Sequence, residues 1–267
     1  MIEAALHVIS VIAYLAATVM LYRHLGRGVP GRGAVLAVAL CAALAQGIGL
    51  GLTFRHEGAL DFSFYHALSV VAFAVVTLVL LGALVRRTEV PGLVMFPVAA
   101  LTVAAEWQLR SPPLLLAERN WQLNLHITLA VLAYALLSLA AAHALVLWVH
   151  ESRLKRHRLA GVTSGLPPLA STEALLFQLI TAGFSILTLT LVTGALFVHD
   201  LFAQHLVHKT VLSIVAWVVF GILLWGRWRH GWRGRTAAGW TLSGMAFLLL
   251  AYFGSKLVLE LILHRTV

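Results

Sequence analysis

Long apolar runs with almost no charged residue recur from one end of this chain to the other. Each run has about 18 to 25 residues, and about 20 apolar residues in a helix cross the roughly 30 Å hydrocarbon core of a bilayer. Backbone polar groups inside a bilayer must bond within their own segment, so the runs are predicted to be α-helices. Of the 267 residues, 61% are hydrophobic and 11% are charged, which excludes an ordinary soluble protein.

The chain is predicted to be a single integral membrane domain over residues 1–267, an all-α polytopic bundle of eight transmembrane helices. The fourth run is the weakest, because Pro97 interrupts it and Glu106 closes it early. Without it, the topology of everything that follows would invert. The helices are expected near residues 4–22, 34–54, 64–85, 91–108, 123–149, 174–198, 210–226 and 237–262.

Basic residues indicate the orientation of the bundle. Of the 19 lysines and arginines, thirteen fall in four alternate loops, and the positive-inside rule makes those loops cytoplasmic. Both termini are therefore predicted to lie outside. The high isoelectric point is an orientation signal and no sign of nucleic-acid binding, and anionic lipid of the inner leaflet is the expected partner of these loops. The thirteen are Arg23, Arg27, Arg32, Arg86, Arg87, Arg153, Lys155, Arg156, Arg158, Arg227, Arg229, Arg233 and Arg235.

Several kinds of chemistry are excluded by what the chain lacks. Cys41 is its one cysteine and lies within an apolar run, so no disulfide or paired-cysteine redox site can form within one chain. The longest polar stretches are too short to fold around a core of their own. No nucleophile elbow, phosphate-binding loop or zinc-protease motif is present, so the chain is not predicted to be an enzyme. Its chemistry must take place in or beside the bilayer.

Six histidines are predicted to lie at one membrane level, at the outer ends of the helices. Odd-numbered helices run inward and begin at that level, whereas even-numbered helices return and end there. A histidine in an apolar helix is costly unless it has a ligand, a partner or water. A ring of imidazoles at one depth can hold a metal ion or a haem iron. The six are His7, His66, His126, His199, His208 and His264.

His126 is the strongest single candidate. Alanines one to five turns below it form a small-residue stripe on its face of the fifth helix. Such a stripe leaves room for a flat ligand such as a porphyrin, or it lets neighbouring helices pack closely. His126 itself is either an iron ligand or a histidine that makes hydrogen bonds at the membrane interface.

His199 is the first predicted partner of His126, because the sixth helix returns it to the same level and the two would then form an axial pair. His208 is a weaker candidate, as a ligand or as a partner of a haem propionate, and His66 ranks beside it. His7 and His264 rank lower, because terminal interface histidines usually serve only as anchors. Propionates would be neutralised by Lys209, Arg110 or Arg119.

Four motifs carry a resemblance to a known family: Asn124 to Ala135, Thr193 to Phe197, Val215 to Trp217 and Gly231 to Arg235. Over residues 120–263 the chain resembles the cytochrome c assembly family (CcsA, CcmC and HemX-like), and within it the bacterial inner-membrane YpjD-like branch. The resemblance implies a multi-pass, eight-helix inner-membrane protein that handles haem through outer histidines, with cytochrome c maturation proteins as partners. It places His126 on the family's first outer ligand position and His264 near the second.

One departure from the family pattern bears on mechanism. Haem-delivering members carry a tryptophan-rich loop, whereas residues 199–209 of this chain contain no tryptophan. The family's inner-half histidine is also missing, with Trp225 near the expected point, so a second, inner haem is not expected. The resemblance therefore implies non-covalent haem binding without the known delivery loop.

Three functions follow from these patterns. The first is a haem-binding protein that handles or holds haem at the outer face, with His126 and His199 as iron ligands. The alternative is a metal-ion transport or homeostasis protein that uses the same outer histidines. The third is a scaffold that organises cytochrome-assembly partners and binds nothing itself.

Overall fold

The protein is all-α in its computed structural model, which describes residues 2–57, 63–85, 89–109, 121–155, 168–197 and 207–254. These described residues form eight α-helices and contain no strand. A single π-helical turn, Leu250–Gly254, follows the last helix. The helices are α1 (Ile2–Arg27), α2 (Arg32–Glu57), α3 (Phe64–Val85), α4 (Gly92–Gln108), α5 (Trp121–Lys155), α6 (Leu169–Phe197), α7 (Val207–His230) and α8 (Gly234–Leu249).

Seven of these helical segments are long and apolar enough to cross a membrane. The exception is α4, whose 17 residues rise about 26 Å, slightly less than the roughly 30 Å hydrocarbon core. The prediction that Pro97 interrupts this helix was wrong, because α4 continues through it. A membrane helix tolerates an internal proline when its neighbours cover the freed carbonyl. The predicted all-α membrane bundle of eight helices is confirmed, and the orientation of the termini stays a prediction.

The chain divides into two compact units, Met1–Leu115 with Val149–Leu169 and Leu116–Trp148 with Ala170–Val267. In the first unit, α1 packs on α2 and α4, and α3 packs on α4. Tyr14 lies at its centre, fully buried and stacked on Phe96 with 6.3 Å between ring centroids. The Tyr14 hydroxyl donates to Gln46 Oε1 at 2.7 Å, and Gln46 Nε2 donates to Ser69 Oγ at 3.0 Å. A polar core therefore ties α1, α2 and α3 together.

In the second unit, α5 and α6 approach closely where α6 has glycine. A Cβ at Gly183 would lie 2.7 Å from Leu137 Cδ2, and a Cβ at Gly194 would lie 3.1 Å from His126 Cε1. Gly183 and Gly194 are about three helical turns apart, as are Leu137 and His126, so both pairs belong to one antiparallel contact line. Small residues at a membrane-helix interface allow this approach. The pairing of α5 with α6 brings His126 against α6.

Two arginines that indicate the predicted orientation, each near a helix end, form ion pairs. Arg227 Nη1 lies 2.6 Å from Glu173 Oε1, which joins α7 to α6 in the second unit. In the first unit, Arg32 Nε lies 3.1 Å from Oε1 of the buried Glu89. Two of the arginines that indicate the predicted topology therefore also form ion pairs.

Candidate functional site

The histidines predicted at the outer level fall into two groups. The side chains of His7, His66 and His126 are described. His199 and His264 lie outside the described residues, and His208 lies in the first turn of α7 with its side chain outside the described part. The predicted axial pairing of His126 with His199 therefore stays a prediction.

The imidazole of His126 is held by α6. Its Nδ1 lies 3.2 Å from Thr193 Oγ1, and the residue is only partly buried. Thr193 and Gly194 belong to the Thr193 to Phe197 motif, and the Thr193 side chain contacts both its own helix and α5. The contact to His126 joins α5 and α6, and helical spacing alone does not reveal it.

The hydrogen bonds around Thr193 determine which nitrogen of His126 carries the proton. The Thr193 hydroxyl hydrogen is engaged by carbonyl oxygens of its own helix, at 2.9 Å from Leu189 and 3.0 Å from Thr190. Its oxygen can then only accept from His126, so Nδ1 is the donor and carries the hydrogen. In a neutral imidazole this leaves Nε2 with a bare lone pair, which is the form that binds a metal.

Glycine at position 194 gives the His126 ring its space. The 3.1 Å separation between a built Cβ and His126 Cε1 is tighter than ordinary van der Waals contact, so a larger residue would displace the ring. Thr193 and Gly194 thus orient the same imidazole from two directions, one by a hydrogen bond and one by leaving room. This arrangement is what a ligating histidine needs from its neighbours.

Two groups of aromatic side chains lie in the second unit. Trp121 meets Phe197 edge to face with 5.9 Å between centroids, and Trp121 is 67% exposed. Tyr134 packs against Tyr252 at 6.3 Å, and Lys209 Nζ lies 5.7 Å from the Tyr252 ring centroid. Lys209, one of the predicted propionate partners, is therefore anchored beside an aromatic cluster, whereas Arg110 and Arg119 lie outside the described residues.

His66 belongs to a different compact unit from His126. Its Nδ1 lies 2.7 Å from Glu106 Oε1, and His7 Nε2 lies 3.9 Å from the other oxygen of the same carboxylate. The sequence identified both histidines but treated Glu106 only as the end of a helix. The packing of α4 on α1 and α3 brings His7, His66 and Glu106 together. Their spacing along the chain does not indicate this contact.

Within the described ranges, no group of three histidine, cysteine, aspartate or glutamate side chains is arranged around one metal ion. A haem iron makes a smaller demand, because the porphyrin supplies four nitrogens and the protein only one or two axial ligands. The arrangement at His126 offers one such ligand.

Comparison with known proteins decides the family. A family model described as "Cytochrome C assembly protein" matches residues 33–263. The chain belongs to the cytochrome c assembly protein family. The match begins in α2 and includes His66, His126, His199 and His208, and it ends one residue before His264. The resemblance expected over residues 120–263 therefore extends through most of the first unit as well.

Curated relatives support the same assignment. Inner membrane protein YpjD of Escherichia coli (strain K12) is 44% identical over 137 residues, which cover 51% of this chain and 52% of the relative. A 28.8 kDa protein of Azospirillum brasilense is 37% identical over 143 residues, covering 53% of each chain. Cytochrome c biogenesis protein CcsA of Chlamydomonas reinhardtii is 26% identical over 208 residues, covering 74% of this chain and 54% of that protein.

The chain thus spans about half the length of these three relatives. No solved structure matches it. The YpjD relative, together with the seven segments long and apolar enough to cross a membrane, confirms the predicted YpjD-like branch and the multi-pass inner-membrane location.

Proposed function

We propose that this protein binds haem non-covalently at the outer face of the bacterial inner membrane, with His126 Nε2 as an axial ligand of the iron. It holds or hands on haem during cytochrome c assembly and carries out no catalysis of its own. Its partners are the bilayer, haem and proteins of cytochrome c maturation. Membership of the cytochrome c assembly family supports the haem-related part of this proposal.

The observation that carries the proposal is the hydrogen bond between His126 and Thr193, from which the tautomer of His126 is inferred. Thr193 accepts the Nδ1 hydrogen at 3.2 Å, which leaves Nε2 bare. A ligating histidine almost always donates the N–H of its other ring nitrogen to an acceptor, and that bond orients the ring and raises its basicity. The residues present therefore fit haem: Gly194 leaves space for the His126 ring, Thr193 selects the tautomer, and exposed apolar side chains such as Leu196 line the same end of α5 and α6.

Haem supplies an iron whose axial positions accept neutral imidazole, and the protein contributes binding, orientation and electrostatics. His126 would provide one ligand and hold the iron at the end of α5. Lys209 would offer a positive charge to a propionate from beside Tyr252. A thioether link to this chain is not expected, because Cys41 faces outward from α2 in the first unit and stands alone in the sequence.

The second axial ligand is proposed to be His199 or His264. Helix-return geometry favours His199, and the resemblance to the family favours His264. His208 and His66 remain weaker proposals, and the Nδ1 of His66 already has Glu106 as its partner. Because residues 199–209 contain no tryptophan, haem would leave this protein by another route than the tryptophan-rich loop of haem-delivering members.

The test is the pigment of the full chain purified in detergent. We expect a Soret band and a pyridine haemochrome that give about one haem per chain. His126→Gln should lose the haem, and one of His199→Gln and His264→Gln should change the band from a two-histidine to a one-histidine spectrum. His230→Gln, an exposed histidine at the end of α7, is the matched control and should behave as wild type.

Two outcomes would overturn the proposal. Protein that stays colourless after reconstitution with haem, yet binds divalent ions through its outer histidines, would support the metal-homeostasis function instead. Protein that binds neither would support the scaffold function.

A further inference from the structure

A second site lies in the first compact unit, at the end where α1 and α3 begin and α4 ends. His7, His66 and Glu106 converge there from three helices. Their side chains are 18%, 11% and 14% exposed, so the carboxylate is largely removed from water. A carboxylate in such a place is costly unless a positive charge neutralises it.

Hydrogen bonds orient the side chains of His7 and Glu106. His7 Nδ1 lies 2.7 Å from the backbone oxygen of Glu3, and a carbonyl oxygen can only accept, so Nδ1 carries the hydrogen. Neutral His7 then presents a bare Nε2 to Glu106 Oε2 across 3.9 Å, which is too long for a hydrogen bond. The other carboxylate oxygen, Oε1, is held by His66 Nδ1 at 2.7 Å.

A small cavity adjoins these atoms. It has about 10 Å³ of space, enough for one water-sized guest, and His7, Ser10, Gln46 and Glu106 are among its lining residues. Ser10 is fully buried, and its hydroxyl oxygen has no hydrogen-bond partner. Gln46 is committed to Tyr14 and Ser69 and gives Ser10 no bond.

The free groups at this cavity are therefore an imidazole lone pair, a carboxylate oxygen and a hydroxyl oxygen. All three accept, and only the hydroxyl can also donate. We propose that the cavity is a binding site for a divalent transition-metal ion, with His7 Nε2 and Glu106 Oε2 as ligands and the Ser10 hydroxyl and water completing the coordination. Imidazole with carboxylate is a ligand set suited to zinc and its neighbours in the first transition row.

The geometry needs little change to accept such an ion. Two metal bonds of about 2.1 Å at a tetrahedral angle place their ligand atoms about 3.4 Å apart, and the observed separation is 3.9 Å. Binding an ion would require the two ligand atoms to approach each other by about 0.5 Å. His66 and the Glu3 carbonyl would then act as outer partners, which hydrogen-bond to the metal ligands and orient them. His66 would hold the Glu106 carboxylate, and the Glu3 carbonyl would hold the His7 ring. The proposed site uses one histidine and one carboxylate. It is therefore compatible with the finding that no three histidine, cysteine, aspartate or glutamate side chains surround one metal position in the described residues.

The test uses the full chain in detergent, treated with a chelator and titrated with Co²⁺, whose visible absorption reports coordination. We expect one saturable Co²⁺ site per chain, competed by Zn²⁺. His7→Gln and Glu106→Gln should each weaken binding at least about tenfold, and His66→Gln, which removes an outer partner, should weaken it about tenfold. Ser10→Ala removes only the hydroxyl and keeps the helix packing, so this variant should fold. It should bind Co²⁺ more weakly than wild type.

The control separates this site from the proposed haem site. His126→Gln, which should lose haem, should keep Co²⁺ binding unchanged, so the two proposals can fail independently. Binding that is absent, or that is equally strong in wild type, His7→Gln and Glu106→Gln, would overturn the inference and leave the cavity as a site for water or a proton.

Discussion

Thr193→Val is the substitution that tests the tautomer argument most closely. Valine has nearly the shape of threonine but accepts no hydrogen bond, so His126 would keep its space and lose the group that holds hydrogen on Nδ1. The threonine hydroxyl donates only within α6, to Leu189 and Thr190, so no other contact between helices depends on it in the described residues. Thr193→Ser keeps the hydroxyl and is the matched control.

The size of the effect follows from the distance. Removing the outer partner of a ligating histidine lowers affinity about 10 to 100-fold. The Nδ1 to Oγ1 distance of 3.2 Å is at the long end of hydrogen-bond distances, so the effect should be near the lower limit. We expect Thr193→Val to weaken haem binding about tenfold, or about 1.4 kcal/mol. The reduction potential should rise, because a less basic imidazole stabilises ferric iron less.

The assay is titration of apoprotein with haem, followed by the Soret absorption, with a potentiometric titration of the loaded protein. Thr193→Ser should match wild type in both measurements. If Thr193→Val also binds haem as tightly as wild type and at the same potential, Thr193 does not orient the ligand and the tautomer argument fails.

Three further predictions concern packing, charge and topology. Gly183→Ala should cost about 1–3 kcal/mol of stability and lower the thermal midpoint, because its Cβ would lie 2.7 Å from the fully buried Leu137, whereas Gly49→Ala, which meets nothing within 4 Å, should not. Glu173→Gln should cost about 1–2 kcal/mol by weakening the 2.6 Å pair with Arg227, measured by the same unfolding assay, and an unchanged midpoint would refute this. A single cysteine placed at residue 3 should react with an impermeant maleimide added outside intact cells and one at residue 87 should not, and the reverse pattern would invert the predicted topology.

The helices could be predicted from the sequence because the bilayer restricts an apolar segment to one conformation. Their ends were less certain: α5 extends to Lys155, beyond the predicted limit at residue 149, since its polar final turns give no apolar signal. Pro97 was misjudged for a related reason, because the tolerance of a membrane helix for proline depends on its neighbours.

The site was only partly predictable. His126 stood out as a histidine at the end of an apolar helix beside small residues, and the structure adds what orients it. Thr193 and Gly194 act on His126 across the α5 and α6 pairing, and Glu106 joins His7 and His66 from a third helix. Contacts between helices depend on which faces meet, and the periodicity of one helix does not contain that information.

The most direct test of the central claim is the absorption spectrum of His126→Gly with and without added imidazole. If His126 Nε2 ligates the iron, the variant should lack the wild-type Soret band, and free imidazole should restore it by filling the vacated position. A wild-type spectrum in His126→Gly without imidazole would show that another group holds the iron and would contradict the account.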